Sequence, residues 1–333
     1  MTCAEYLQLY NESWLRLHED TPQLPSYDRT LYSTWNLSYK HIKQQEPTAA
    51  MLLQQWAYFS NGDLWYELLK GNWETKPGWL AEMTKDKLRF HNVMRVLCNH
   101  GLAEIGPSPR SDEVESQGYN VHACMHSWME YVLNQGINKI MVESAVHCVA
   151  SHVPSQDQKE FWIVQQRLLM HADRCLKMVK GMDLDAEATV ALGSLGILYA
   201  DQGRLQDAEA MYQRALDGKE KAWGPDHTST LDTVNNLGNL YADQGRLQDA
   251  EAMYQRALDG YEKALGPTPV VAYIPLLNTL ENLANLYVEL GRTSDALPCY
   301  QRARVGVEAV WGRENQRYTR LASLMGSSTS KVA

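Results

Sequence analysis

The chain has 333 residues, 44% of them hydrophobic and 21% charged, and its 31 basic against 40 acidic side chains give a net charge of −9. At about 100–200 residues per domain, this length allows two or three domains, each able to bury a core. The acidic balance argues against general binding to phosphate backbones, and no 18-residue apolar run exists to make a membrane-spanning helix.

The start, Met1-Thr2-Cys3-Ala4-Glu5, has neither the basic nor the apolar region of a secretion signal. Cys3, Cys98, Cys124, Cys148, Cys175 and Cys299 form no Cys-x-x-Cys pair. Reduced thiols in a cytoplasmic or nuclear protein are therefore expected. Nine of ten histidines lie at or before His171, and eight of ten tryptophans at or before Trp162. Residues 1–180 carry a net charge of −3 and residues 181–333 a net −6. Two differently built units are expected.

In the front unit, Ala49, Leu52, Leu53, Trp56 and Phe59 mark one helix. Another runs from about Lys85 through Phe90, Val93, Met94 and Leu97 and is capped by Gly101. The short apolar segment Leu102–Ile105 leads into a loop of turn formers from Gly106 to Gly118, with Pro107, Ser108, Pro109 and Ser111. A second segment, Tyr119–His122, completes a hairpin and enters a helix through Trp128 and Leu133. Helix, hairpin and helix in this order is the plan of a winged helix, assigned to residues 29–155. Trp56, Trp65, Trp73 and Trp79 are expected to fill its core and edge.

Particular segments carry a resemblance. Leu31-Tyr32-Ser33-Thr34-Trp35-Asn36-Leu37-Ser38-Tyr39 resembles the opening of the winged-helix domain of STAND ATPases. Val121-His122-Ala123-Cys124-Met125-His126-Ser127-Trp128 is similar to the histidine-containing segment that closes that domain in fungal NOD-like receptors. Ala4 to Leu17 resembles the end of the helical subdomain upstream, which makes residues 1–28 a helical lead. Residues 161–180, with Leu168-Leu169-Met170-His171-Ala172, resemble the linker into tetratricopeptide sensors, assigned here to 156–184. The resemblance implies that His122 reaches the β-phosphate of bound ADP, a role for which an imidazole N–H is a good donor. The family's usual Met-His-Asp is Val121-His122-Ala123 here, and no Gly-x-x-x-x-Gly-Lys-Ser/Thr phosphate loop occurs. His122 would therefore bind a nucleotide only if a nucleotide-binding domain were supplied, and no cofactor is expected.

His122 and His126 with Cys124, Cys98 with His100, and His147 with Cys148 and His152 are loose clusters without a His-Glu-x-x-His frame. No metal site is expected from them. No Gly-x-Ser-x-Gly elbow is present, and the chain reads as a non-enzyme. Lys85, Lys87, Arg89 and Arg95 make a small basic cluster among acids, which reads as a solvated helix face rather than a nucleic-acid surface.

The back unit repeats itself. Residues Tyr199–Gly218 recur letter for letter as Tyr241–Gly260, twenty identities at a period of 42. In a degenerate third copy Leu283, Tyr287, Gly291, Ala296, Tyr300 and Ala303 match Leu237, Tyr241, Gly245, Ala250, Tyr254 and Ala257 at an offset of 46, with about four residues inserted between Pro267 and Pro275. Each copy reads as two helices, the first stopping at a glycine such as Gly245 and the second burying Ala250, Tyr254 and Ala257. Gly238 and Ala250 mark a close helix approach, and Gly224-Pro225 and Gly266-Pro267 punctuate the linkers. Pro298 falls near the first turn of a second helix, a place where it can shift the helix start. Identity that extends to exposed positions such as Gln206 and Asp207 reads as recent duplication rather than as a demand of packing.

The pattern resembles the tetratricopeptide repeat. Its period and the linker Trp223-Gly224-Pro225-Asp226-His227-Thr228 resemble the long repeats of kinesin light chains. The resemblance implies three repeats at 185–325 in a short solenoid, before a disordered tail at 326–333, with first helices lining a concave groove. Groove positions are then Asn235, Asn236, Asn239 and Asp243, followed by Asn278, Asn282, Asn285 and Glu289. An amide offers donor and acceptor together, so an asparagine ladder can clamp an extended peptide. Ser194 and Ile197 break the ladder in the first copy.

The sequence thus reads as all-α with one small β-hairpin: a winged-helix domain, then a tetratricopeptide-repeat α-solenoid. The expected function is non-catalytic binding of a protein or peptide, by the sensor and relay part of a STAND-type signalling protein. A nucleotide-binding domain or an oligomer of a longer form would be a further partner; membrane and nucleic acid are not expected. A kinesin-light-chain-like adaptor is the alternative, and a winged-helix DNA-binding regulator the second.

Overall fold

The structure, a computed structural model, describes residues 31–106, 116–266 and 273–330. The helical lead at 1–28, the loop residues Pro107, Ser108, Pro109 and Ser111, and most of the Pro267–Pro275 insertion lie outside the described residues. Two compact units divide between Asp183 and Leu184.

The front unit runs α1 (Leu31–Gln45), α2 (Pro47–Trp56), α3 (Tyr66–Lys70), α4 (Gly78–Met83), α5 (Lys87–Asn99), β1 (Glu104–Ile105), β2 (Tyr119–Asn120), α6 (Ala123–Trp128), a π-helical turn (Met129–Leu133), α7 (Lys139–Ala150) and α8 (Phe161–Val179). Local chemistry sets the ends. Pro47 sits at the start of α2, where its missing N–H costs nothing. Asp86 accepts from the Arg89 N–H to cap α5, and Asn138 caps α7 through the Met141 N–H. Lys76 closes α3 by donating from Nζ to the carbonyls of Leu69, Lys70 and Gly71 at 2.6–3.2 Å. β1 and β2 pair antiparallel, Glu104 opposite Asn120, and Leu64 adds a bridge to Tyr119. Trp56, Trp65, Trp128, Phe59 and Phe90 are fully buried in the core of this unit, while Trp79 stays half-buried. Of the basic cluster on α5, Arg89 pairs with Glu82 and Asp86, and Lys87 approaches Glu67.

The back unit is a series of antiparallel helices: α9 (Ala186–Asp201), α10 (Leu205–Trp223), α11 (Thr228–Asp243), α12 (Leu247–Leu265), α13 (Ile274–Glu289), α14 (Thr293–Trp311) and α15 (Gln316–Ser330). Gly203, Gly245 and Gly291 turn the chain within each pair at φ near +71 to +73°. Gly238 is required by packing, because a Cβ there would stand 2.6 Å from the Tyr254 ring. At the start of the second helix in the second and third pairs an arginine binds its own repeat and the one before. Arg246 lies over the Tyr241 ring at 4.0 Å and pairs with Asp249 and Glu209. Arg292 lies over Tyr287 and pairs with Asp295 and Glu251.

Three expectations change here. Asp207, read as an exposed position free of packing demands, is half-buried and pairs with Arg204 at 2.6 Å, as Asp249 does with Arg246. Part of the identity between the copies therefore preserves this ion pair. Pro298 does not displace its helix: α14 starts at Thr293, the position equivalent to Leu205 and Leu247. Its exposed place five residues inside the helix leaves its ring room. The tail expected from residue 326 is helical as far as Ser330, because α15 packs as a seventh helix. Its cap copies an earlier one, Asn315 accepting from the Arg317 N–H as His227 accepts from the Ser229 N–H.

A buried carboxylate anchors α15. Glu281, with 6% of its side chain exposed, takes Arg317 and Arg320 together, and Leu321 is buried beside them in the same helix. Glu281→Ala leaves two cations without their acceptor. It is expected to cost about 2–3 kcal/mol and to expose α15 first. Limited proteolysis should then cut within Gln316–Ser330 at a concentration that leaves the parent intact.

Candidate functional site

The asparagine positions expected to line a groove lie on α11 and α13, the first helices of successive pairs. Their spacing of three and four residues puts them on one helix face, and the structure uses that face to tie the helices together. Asn235 Oδ1 accepts from Thr279 Oγ1 at 2.9 Å and from Asn282 Nδ2 at 3.5 Å. Asn239 Oδ1 accepts from Asn282 Nδ2 and from the Tyr254 hydroxyl, both at 2.8 Å. Asn285 repeats the tyrosine contact one copy later, accepting from Tyr300 at 2.7 Å. Asn278 is drawn to α15, where its oxygen accepts from Arg317 at 2.7 Å. Asn236 is half-buried, and Asp243 and Glu289 are exposed.

These bonds fix which polar atoms of the row are engaged. Tyr254 stays protonated, since burial first and the Asp243 carboxylate second push its hydroxyl up. It therefore donates to Asn239 at every physiological pH. With their oxygens committed, Asn235, Asn239 and Asn285 present amide N–H groups, while Asn282 presents its carbonyl. Asp243 and Glu289 occupy equivalent positions in successive copies, and Asp201 holds the same place in the first. The first copy departs as the sequence suggested: Ile197, 38% exposed, stands where Asn239 and Asn285 stand later.

The histidines of the front unit serve the fold. His122 is exposed and caps α6, its Nδ1 accepting from the Cys124 N–H at 3.2 Å. His126 makes a 2.9 Å bond from Nε2 to the Phe59 carbonyl. His147 stacks on Trp73, and His100 bonds to the Val96 carbonyl. Among the described residues no three His, Cys, Asp or Glu side chains are placed to hold a metal ion.

One cluster was not singled out from sequence. His171 on α8 is fully buried, accepting at Nδ1 from the Ser60 N–H and donating from Nε2 to the Asp63 carbonyl. One turn earlier Arg167 grips Asp63 through two 2.8 Å bonds and lies over Trp65 at 4.1 Å. Segment 156–184, read as a helical linker, thus packs its helix into the front unit. The four-residue spacing of Arg167 and His171 was the only sequence signal, and their partner lies more than 100 residues away.

Family models described as tetratricopeptide repeat match residues 187–263 and 279–305. The back unit is a tetratricopeptide-repeat solenoid. No curated protein matches the chain. Among solved structures, the nearly identical TPR-like repeats described as kinesin light chain from Podospora anserina share 14% identity, covering 50% of this chain and 78% of that one, with a TM-score of 0.42. BtubC (BKLC) from P. vanneervenii shares 16% identity over 83% of this chain and 89% of its own, with a TM-score of 0.41.

Proposed function

We propose that the repeats bind an extended, basic peptide segment of a protein partner, without catalysis. The observation that carries this reading is the pre-set row of amides on α11 and α13, flanked by the exposed Asp243 and Glu289. Amides held by Tyr254 and Tyr300 lose little freedom when they meet a peptide backbone, and carboxylates once per repeat favour Lys and Arg side chains. The front unit fits a winged helix in this proposal: α2, the Leu64 bridge, α3 to α5, then β1 and β2 follow that order. A winged helix followed by tetratricopeptide repeats supports a place as the sensor and relay part of a STAND-type protein acting in the cytoplasm.

A displayed library of random peptides panned on the full chain tests the groove. Peptides rich in Lys and Arg should be enriched. Asp243→Lys with Glu289→Lys, both at exposed positions, should weaken the selected peptides about tenfold or more while circular dichroism stays unchanged. Selected peptides that bind the double variant as well as the parent would sink the reading.

A further inference from the structure

The front unit holds an open pocket of about 570 Å³ that plays no part in peptide binding by the repeats. It forms where the C-terminal part of α8 meets the end of α2 and the π-helical turn. Tyr58, Tyr131, Ile137 and Met178 supply apolar surface, and Glu130, Arg174 and Lys177 supply charge. The volume lies within the range of small-molecule sites.

Its wall is pre-shaped at a cost in backbone energy. The π-helical turn Met129–Leu133 is followed by Gln135 at φ +47°, a conformation that a non-glycine residue keeps only when surrounding contacts impose it, and by Gly136 at φ +134°, which a glycine adopts freely. Those contacts are present. Asn134 Nδ2 donates to the Gln54 carbonyl at 3.1 Å, and the Asn138 N–H donates to the Tyr58 hydroxyl at 2.9 Å. The pocket's apolar side nevertheless meets water, with Ile137 65% exposed at its edge.

The charges are committed unequally. Glu130 is held by Arg174 at 2.7 Å, and Arg174 also donates to the Ala57 carbonyl at 3.0 Å. That pair is internally neutral. Lys177, exposed on the same wall, makes no ion pair or hydrogen bond among the described residues. The lining therefore carries one net positive charge beside an aromatic and aliphatic floor.

We propose that this pocket binds a small aromatic carboxylate, its ring against Tyr58, Tyr131 and Met178 and its acid group paired with Lys177. Calorimetric titration of the full chain with 2-naphthoate, against the neutral 2-naphthalenemethanol, tests it. The acid should bind saturably and about fivefold or more tighter than the alcohol, and Lys177→Gln should remove that advantage without touching the alcohol's affinity. Ile137→Glu, at an exposed edge position that does not threaten the fold, should weaken the acid more than the alcohol. No saturable binding, equal affinity for acid and alcohol, or an acid affinity unchanged by Lys177→Gln would each overturn the proposal.

Discussion

Arg167→Ala is expected to destabilise the front unit by about 3 kcal/mol, read as a lower urea midpoint of tryptophan fluorescence. Three interactions are lost together. The guanidinium makes a two-pronged bond to Asp63, a bond to the Ser116 carbonyl at 3.3 Å, and a stack on the buried Trp65. Its own side chain is only 12% exposed, but Asp63 keeps 31% exposure and recovers some hydration, which holds the loss to the lower end of the range for a broken buried pair. Arg167→Lys should recover less than half of the loss, since an ammonium keeps the charge without the fork or the planar stack. Gly118 joins the same knot, because a Cβ there would meet Asp63 Oδ1 at 1.9 Å. Arg167→Ala and Asp63→Ala combined should therefore cost clearly less than the sum of the two alone. Additive losses would show that the pair does not hold α8 to the loop.

The second large effect is acid sensitivity centred on His171. Burial, more than the neighbouring Arg167 and His126 charges, pushes its pKa from the ordinary 6.5 down to about 4, against the opposing pull of Asp63. The unfolded chain takes up a proton near pH 6.5, whereas the folded chain does not until about pH 4. Stability is thus full above pH 6.5 and falls by about 3 kcal/mol as the pH drops through that window. His126 and His152 are also held below the ordinary range, chiefly by burial, and add to the slope in the same direction. Urea unfolding at a series of pH values should show the loss, and His171→Gln should flatten the curve while lowering stability at neutral pH. A variant with the parent's slope would place the acid sensitivity elsewhere.

Much of the back unit was legible from residue order alone. A twenty-residue identity at a period of 42 has few physical readings other than stacked copies of one helix pair. The glycines at 203, 245 and 291 mark the turns because other residues resist positive φ. Gly101 was the front-unit helix end legible in the same way, whereas the caps at Asp86, Asn138 and Pro47 emerged with the structure, although each acts within a few residues of itself. The hairpin followed from two short apolar segments around a loop of turn formers.

What the side chains do with that scaffold was settled by tertiary structure. An asparagine on a helix face looks alike whether it waits for a peptide or holds a neighbour. The Asn239 oxygen does the second because Asn282, 43 residues on, arrives opposite it. Nothing in the residue order marks Glu281, and its part in the fold comes from α15, which brings two arginines to it. His171 is fully buried and His122 exposed because α8 carries His171 onto loop backbone whose donor and acceptor fit its two ring nitrogens. Sequence determined which helices form and how they repeat, since helix caps, turns and hydrophobic period are local properties. Tertiary structure decided which polar groups are spent on the fold and which remain for a partner, since a hydrogen bond depends on what stands opposite in space.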